Sequence, residues 1–556
     1  MKKGFFRVVS AAAAVVMAAG TMSVMGAFAE TIPVQPDQVY NETPATYESL
    51  GVNAGDKQSF KTTEAQVSDL PMINITTQNN NTLIKSKEEY ISCVVDVFNC
   101  DESYQLSEVS AGVRLRGNST SYYGDVNQIK KNPVPYRIKF DKKQAMLGLN
   151  DNQKFKSWAL LKPIYNVICN DFAFNMGRSI MNGKNFCSDS QFVRLYVNDK
   201  FQGVYLLCEQ NQVNKNRVNI TEPEEGYEGT DIGYYLELDN YAWQEPYYVS
   251  TDYAGATVTD VRGVTRQFVP AEYTIKNDLY STEQVEFIDK YLNNVFQIVY
   301  QACEKGRYYR LDSRNEIQLS NYTSAEEAIG AVMDIDSAVQ LYLLYEIVHD
   351  YDCGEGSFYV SADFGEGKDS RLRFTSPWDF DWAYNDSSDR YWAGAFCEQS
   401  FVNRYGDRSN PWFILLAKQD WFQKRAEQMW KETNANGGIE SVMDHESDLL
   451  SKYAGDFNAS NTFGQDLSGS VDNANNTLKW ISARARFMNG TFGDDVLMGD
   501  IDNNGKVNVN DAMRSIQFSK QKSKAEAGRQ RKAADLNGDG KIQVKDTLIL
   551  IRKVKG

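Results

Sequence analysis

Two short segments near the C-terminus repeat one pattern of oxygen-bearing side chains. The segments DIDNNGKVNVND and DLNGDGKIQVKD begin at Asp500 and Asp535, which are 535 − 500 = 35 residues apart. Each has Asp or Asn at positions 1, 3 and 5, Gly at position 6 and Asp at position 12, the spacing with which an EF-hand loop surrounds Ca²⁺. The pair predicts two calcium sites, and the alternative is a pair of Asx turns without metal.

The predicted calcium ligands are hard oxygen donors, and position 7 contributes its backbone carbonyl whatever its side chain. The first site comprises Asp500, Asp502, Asn504, Lys506 and Asp511, and the second comprises Asp535, Asn537, Asp539, Lys541 and Asp546. Each loop runs into a predicted helix, DAMRSIQFSKQK or DTLILIRKVK. The sequence therefore predicts a small all-α unit with two EF-hand-like loops.

This unit resembles a dockerin from Gly499 to about Lys555, because Asp replaces Glu at position 12 and the helix before each loop is short or missing. The resemblance implies calcium-dependent docking to a cohesin on a scaffold such as a cellulosome. It also implies that loop positions 10 and 11, here Val509-Asn510 and Val544-Lys545, face the cohesin. These pairs differ between the repeats, so the sequence leaves the cohesin type open.

Composition excludes several other classes. A formal net charge of −15 and the lack of a long basic tract argue against nucleic-acid binding. The chain has only 2 His in 556 residues, which argues against metal sites with several histidines and against His-dependent catalytic triads. A hydrophobic content of 42% indicates a folded chain, and its length indicates two or more domains.

The N-terminus has the pattern of a secretory signal peptide: a basic start, an apolar middle and Ala27-Phe28-Ala29 as the cleavage site. We therefore expect residues 1–29 to be removed and the protein to be secreted and extracellular. No other segment approaches the roughly 20 apolar residues that a membrane span needs. Eight cysteines permit disulfides, with Cys93 and Cys100 as one possible pair and buried free thiols as the alternative.

Composition divides the rest of the chain into a lead-in, a large domain and a C-terminal unit. Residues 30–69 are polar and predict a linker or loosely ordered lead-in. Residues 70–492 begin with a strand-rich part that contains one predicted helix, PIYNVICNDFAFNMGRSI, and continue with a helix-rich part. The predicted strands are INITTQ, YISCVVDVF, GVRLRG, YRIKF, FVRLYVND and GVYLLCE. Residues 499–556 form a separate unit. In the second part STEQVEFIDKYLNNVFQIVYQACE, DSAVQLYLLYEIVHD and WFQKRAEQMWKE predict helices. The order predicts an α+β, two-lobed domain.

The segment TSPWDFDWAYN sets Asp379 and Asp381 among aromatic residues. Carboxylates are rarely buried without a partner. Upstream, YEIVHDYDCGEGSFYVSADF predicts a helix end, a loop carrying Asp352 and a strand. Phosphoryl transferases use this order, with one Asp for the acceptor hydroxyl and a later Asp for Mg²⁺. The alternative is an Asp-rich turn in which one carboxylate caps backbone and the other is solvated.

Several ordered motifs resemble the spore-coat protein H (CotH) family of atypical secreted kinases: LPMINITTQ, GVRLRGNST, PYRIKF, RLYVNDKFQGVYLLCEQ and SPWDFDWAYN. The resemblance covers about Leu70 to Phe492. It implies an atypical two-lobed protein-kinase-like fold that binds ATP with Mg²⁺ or Mn²⁺ and phosphorylates Ser or Thr of a secreted protein.

The resemblance also implies roles for single residues. Asp352 matches the catalytic Asp, and either Asp379 or Asp381 matches the metal ligand. The implied nucleotide-binding residues are Arg116, Gly117, Asn118 and Ser119 in the phosphate-covering loop, one of Lys130, Lys131 and Lys139 at the phosphates, and Glu209 near the hinge on the adenine side.

The sequence departs from ordinary kinases in having no GxGxxG loop, Cys353-Gly354 after the catalytic Asp, and Ser357 where they have Asn. Two rival functions therefore stay open. One is a non-catalytic module that binds carbohydrate or protein through aromatic residues such as Trp243, Tyr247 and Tyr248. The other is a glycoside hydrolase, which needs two carboxylates about 5–9 Å apart across a cleft.

Overall fold

The structure is a computed structural model. It describes residues 43–117, 119–163, 166–251, 256–259, 265–267, 270–384, 402–403, 406–407, 410–460, 470–493, 496–502, 505–520 and 528–555. The predicted signal peptide and its cleavage site lie outside these residues. None of the described helices combines the length and the hydrophobicity required to cross a bilayer.

Seven strands close a barrel in the order β1-β2-β3-β4-β5-β7-β6. All neighbours are antiparallel except β1 and β6, which are parallel. The strands are β1 Met72–Thr77, β2 Ile91–Phe98, β3 Leu106–Leu115, β4 Tyr136–Gln144, β5 Phe155–Leu161, β6 Ser190–Val197 and β7 Lys200–Glu209.

Alternation along these strands separates two cores. Ile138 and Trp158 point into the barrel, whereas Ala159 and Leu206, on the opposite face, pack against the helices. One wall of the barrel is thus buried on both sides, which explains the nearly continuous apolar run of GVYLLCE.

The lead-in is more ordered than its polar composition predicts. Helix α1, Ala54–Glu64, begins at Asn53, whose side chain accepts hydrogen bonds from two backbone N–H groups. Tyr47 donates its hydroxyl to the buried Asp96 at 2.6 Å, and Lys57 pairs with Asp199 at 2.7 Å. Residues 43–69 pack on the barrel through these carboxylates and through a small apolar cluster of Ala45 and Leu50 with Val94, a complementarity that composition does not reveal.

A second sheet of five antiparallel strands has the order β16-β15-β8-β12-β9. Its strands, together with three two-stranded hairpins, follow the barrel in the chain. They are β8 Gly233–Leu238, β9 Tyr248–Thr251, β10 Thr257–Thr259, β11 Thr265–Gln267, β12 Ala271–Ile275, β13 Tyr309–Leu311, β14 Ile317–Leu319, β15 Phe358–Asp363, β16 Arg373–Thr375, β17 Val402–Asn403 and β18 Gly406–Asp407.

Helices surround this sheet and one wall of the barrel. Helix α7 is buried on all sides, and it ends at His349 in a left-handed conformation, φ +52°. The helices between α1 and the C-terminal unit are α2 Val126–Lys131, α3 Leu149–Asn152, α4 Cys169–Met181, α5 Thr282–Tyr300, α6 Ala325–Gly330, α7 Ile335–Val348, α8 Phe413–Leu416, α9 Asp420–Ala435, α10 Gly438–Lys452, α11 Ala454–Ala459 and α12 Ser470–Phe492.

The C-terminal unit contains α13 Val509–Ser519, α14 Gly528–Ala534 and α15 Val544–Lys555. Ile501, Ala512, Ala534 and Leu550 form its small core. The predicted mixed α+β architecture and the helical C-terminal segment are therefore confirmed. Cys93 and Cys100 are both free thiols. The possible bridge between them is wrong, because extended strand β2 separates them by more than the ~7 Å that a disulfide spans.

Candidate active site and calcium loops

The WDFD segment forms a tight turn at the start of helix α4. Asp379 adopts a left-handed conformation, φ +64°, and a short 3₁₀ turn, Phe380–Trp382, follows it. Asn170, in the first turn of α4, accepts a hydrogen bond from the N–H of Phe380 at 3.0 Å and donates one to Asp381 at 2.8 Å. One amide side chain thus fixes both the backbone and a carboxylate of this turn.

Hydrogen bonds connect the segment after the turn to two helices. Tyr384 donates its N–H to the carbonyl of Val348 at 2.8 Å and its hydroxyl to the carbonyl of Cys169 at 3.2 Å. Val348 ends α7 and Cys169 begins α4. The WDFD turn is therefore anchored where the two helices meet.

The loop after α7 brings two further carboxylates to the turn. The buried Asp350 accepts a hydrogen bond from the N–H of Asp352 at 3.1 Å. The carbonyl of Asp352 accepts from Glu355 and Gly356 at 2.7 and 2.8 Å. This tight turn leaves Asp350 as a capping residue and Asp352 as the more exposed carboxylate.

Each of the four carboxylates has a raised pKa, and burial is the largest cause in every case. Burial, then the charges of Asp352, Asp379 and Asp381, raise the pKa of Asp350 well above its usual range. Burial and the charge of Asp379 raise the pKa of Asp352 and of Asp381 to about 7. Without a cation such a group holds protons near neutral pH, because like charges in a poorly solvated site disfavour ionisation.

One cation from the barrel approaches this group. The guanidinium of Arg116, which follows β3, lies 5.0 Å from the ring centroid of Trp378. Burial raises the pKa of Asp379, and the nearby Arg116 opposes that rise. The hydroxyl of Ser357 lies 3.5 Å from Asp379 on the same side. Ser357, five residues after Asp352, thus approaches this carboxylate.

A cavity of about 330 Å³ opens beside Asp381. Asn166 and Tyr384 line it together with Asn473 and Thr477 of α12. Asn166 donates to Thr477 at 2.5 Å, so the wall between barrel and helices is polar at this point. A polar ligand can therefore reach Asp381 from this side.

The other predicted nucleotide-binding residues lie at different places. Lys130 and Lys131 are exposed on α2, whereas Lys139 is buried on the face of β4 that points away from the barrel interior. Gly117 has φ +83°, and an added Cβ would approach Thr120 at 2.4 Å, so this turn needs glycine. Asn118 lies outside the described residues, and Ser119 begins a 3₁₀ turn, Ser119–Ser121.

Glu209, at the end of β7, already has an ion-pair partner and hydrogen-bond donors. Its carboxylate pairs with Arg217 at 3.1 Å and accepts from Asn150 at 2.7 Å and from the N–H of Asp189 at 3.2 Å. Both members of the ion pair are buried. The side chain therefore holds the end of the barrel together, and its predicted role at a hinge remains a prediction.

The two calcium loops share one hydrogen-bond pattern. In the first, Asp511 accepts from the N–H groups of Asp502 and Asn508 at 3.1 and 2.8 Å, and Asp500 accepts from Gly505 at 3.0 Å. In the second, Asp546 accepts from Asn537 and Gln543 at 3.1 and 2.9 Å, and Asp535 accepts from Gly540 at 2.7 Å.

Calcium fits the first loop. Asp500, Asp502 and Asp511 are buried, and each offers a carboxylate oxygen within 4.8 Å of the others. Buried carboxylates gathered this closely need a cation. Among the described residues, this is the group of three acidic side chains whose oxygens all lie within 4.8 Å of one another. Asn504, another predicted ligand, lies outside the described residues.

Apolar side chains are exposed at equivalent places on the two helices that follow the loops. Val509 and Val544, at position 10, are 62% and 60% exposed, and Met513 and Leu548, at position 14, are also exposed. The helices pack together through other faces, where the hydroxyls of Ser515 and Thr547 are 2.8 Å apart. Such side chains are available to a partner.

Sequence reasoning did not find Asn170 or Asp350. Asn170 lies in a predicted helix and gives no local signal, since Asp381 is 211 residues away. Asp350 had a signal, because it stands two residues before Asp352 in the same loop.

Comparison with known proteins finds two families on the chain. A family model described as CotH kinase protein matches residues 113–488, which is 488 − 113 + 1 = 376 of 556 residues, and a model described as Dockerin type I domain matches residues 498–555. No curated protein matches the chain.

Proposed function

This chain belongs to the CotH kinase protein family and carries a C-terminal dockerin type I domain, and from that premise we propose that it is an extracellular, cohesin-docked protein kinase. The reaction is transfer of the γ-phosphoryl group of ATP to a Ser or Thr hydroxyl of a secreted protein. A dockerin implies binding to a cohesin in a cellulosome-like complex outside the cell.

The group of four neighbouring carboxylates, one fully buried and three partly buried, carries the proposal. Asp350, Asp352, Asp379 and Asp381 come from two loops that meet at the ends of α7 and α4, and each has a raised pKa. A purely structural turn has no need to gather four like charges at such a cost. A divalent cation offsets that cost, because its charge favours the ionised carboxylates.

Roles follow from position. Asp379 and Asp381 would hold the metal, with Asn170 keeping Asp381 in one orientation. Mg²⁺ or Mn²⁺ with ATP supplies the phosphoryl group and neutralises its charge. Asp352, the more exposed carboxylate, would orient the acceptor hydroxyl and accept its proton.

Among the described residues, Arg116 is a cation well placed to contact phosphate. It reaches the site from the barrel and already lies close to Asp379, while its planar guanidinium can form paired hydrogen bonds with phosphate oxygens.

The test is transfer of label from γ-labelled ATP with Mg²⁺ or Mn²⁺, comparing the protein with its Asp352→Asn form. Asp369→Asn is a matched control, since Asp369 is exposed in the loop before β16 and pairs with Arg371. We expect autophosphorylation or labelling of a co-secreted protein in the parent and the control, and its loss in Asp352→Asn. Absence of both labelling and metal-dependent ATP binding in the parent would overturn the proposal.

A second candidate is a non-catalytic, glycan-binding module. Trp243 is 62% exposed, and Tyr248 is exposed on β9, the edge strand of the five-stranded sheet. Exposed aromatic rings can stack on sugars. Binding of a soluble plant polysaccharide that disappears in Trp243→Ala, without any ATP binding, would favour this function. Release of reducing sugar would instead indicate a glycoside hydrolase.

A further inference from the structure

The dockerin and the kinase-like domain meet through two ion pairs. Arg531 pairs with Asp420, and Lys532 pairs with Glu427 at 2.9 Å. Both basic residues belong to α14, the helix between the two calcium loops, and both acidic residues belong to α9 of the kinase-like domain. Asp420 and Glu427 are seven residues apart and therefore lie on the same face of α9, two turns apart.

The contact is not limited to charges. Helix α14 packs beside α9 and α12, and its Ala533 is completely buried although it is outside the dockerin's own core cluster. The carbonyl of Ala533 accepts the N–H of Gly499, the residue just before the first calcium loop, at 2.9 Å. The helix that touches the kinase-like domain is thus joined directly to the start of that loop.

The net charges of the two parts are complementary. Residues 498–555 contain 13 Lys and Arg and 7 Asp and Glu, so the dockerin carries 13 − 7 = +6. Since the whole chain carries −15, residues 1–497 together with Gly556 carry −15 − 6 = −21. Bound Ca²⁺ would add further positive charge to the dockerin, and opposite net charges attract at moderate salt concentration.

The face used in this contact differs from the face left for a partner. The exposed apolar side chains Val509, Met513, Val544 and Leu548 lie on α13 and α15, whereas the ion pairs use α14. A partner can therefore bind α13 and α15 without displacing α14 from α9.

We infer that α9 is a docking surface for the chain's own dockerin, through which the calcium-loaded module is held in one orientation relative to the kinase-like domain. A cohesin bound to α13 and α15 then holds the kinase-like domain in a fixed orientation, whereas a flexible linker would allow many orientations. This inference needs the dockerin fold but does not depend on kinase activity.

A charge swap on the full-length protein tests the inference. Lys532→Glu and Glu427→Lys each place like charges face to face, and the double variant restores an opposite pair with reversed polarity. Lys555→Glu is a matched control, because it makes the same charge change at the exposed end of α15. Small-angle scattering measures the maximum dimension, and hydrogen exchange reports protection of residues 420–432 and 528–534.

With Ca²⁺ present, we expect both single variants to be more extended and to exchange several-fold faster in these two segments. The double variant and Lys555→Glu should match the parent, and chelation of Ca²⁺ or 1 M salt should loosen the parent in the same way. Circular dichroism with and without Ca²⁺ confirms that each dockerin is folded. Single variants that match the parent, or a double variant as extended as the singles, would overturn the inference.

Discussion

Lys162, just after strand β5, is a buried cation whose removal should stabilise the protein. Its side chain is 4% exposed, and its ammonium donates to the hydroxyl of Ser460 at 3.0 Å and lies 5.3 Å from the ring centroid of Tyr205. Among the described residues no carboxylate forms an ion pair with it. Burial lowers the pKa of Lys162 from 10.5 to about 7.

The sign of the pH dependence follows from this lowered pKa. Between pH 7 and 10.5 the unfolded chain binds a proton at Lys162 that the folded protein does not, so the free energy of unfolding rises with pH across that window. The full shift corresponds to about 5 kcal/mol, and about 4 kcal/mol of this cost is present at pH 7.

Lys162→Met keeps an unbranched side chain of similar volume and removes the charge. It also loses the hydrogen bond to Ser460, worth about 1 kcal/mol. We therefore expect the variant to be about 3 kcal/mol more stable than the parent at pH 7, with the difference vanishing near pH 10.

Urea unfolding followed by tryptophan fluorescence at pH 6 to 10 measures this difference. All nine tryptophans precede residue 498, so the signal reports the kinase-like domain and not the dockerin. Lys156→Met is the matched control, because Lys156 lies on β5, the strand that ends just before Lys162, but is exposed, and it should show no such pH-dependent gain. A variant less stable than the parent at pH 7, or a gain that does not shrink as pH rises, would refute the reasoning.

Three further outcomes are expected. Without metal, the raised pKa of Asp381 should lower the parent's free energy of unfolding by up to about 4 kcal/mol between pH 4 and 7, so urea titrations of Asp381→Asn in EDTA should show a loss smaller by that amount, while the raised pKa of Asp352 contributes equally in both proteins. Arg217→Met should cost about 3–5 kcal/mol, visible as a lower urea midpoint, because Glu209 is left buried without its cation. Asn170→Ala should weaken Mn²⁺ binding measured by electron paramagnetic resonance, and should cost about 1–3 kcal/mol because the N–H of Phe380 loses its acceptor; unchanged Mn²⁺ affinity would remove the positioning role.

Local features of the sequence predicted much of the fold. Each predicted calcium-binding loop has its expected oxygen ligands within twelve residues, so spacing alone brings them together. Helix α5 begins at Ser281 with a capping box that includes Gln284, as its opening residues indicated. The strands of the barrel are short β-rich runs bounded by Gly, Asn, Asp and Pro, which identified them before their order was known.

The polar lead-in shows where composition misleads. Its residues 43–69 fold because Asp96 and Asp199 on the barrel offer partners for Tyr47 and Lys57. A polar segment lacks an apolar pattern that could reveal such a docking place in advance.

What the sequence by itself determined is the set of elements whose residues are close in the chain: the calcium loops, most helices and strands, and the pair Asp379 and Asp381. Only the tertiary structure decided that Asn170 holds Asp381, that Asp350 joins the carboxylates and that Arg116 approaches them from the barrel. The physical reason is that spacing along the chain specifies contacts within a helix, a strand or a loop. Contacts across hundreds of residues depend on which faces pack together, and many sequence positions determine that packing at once.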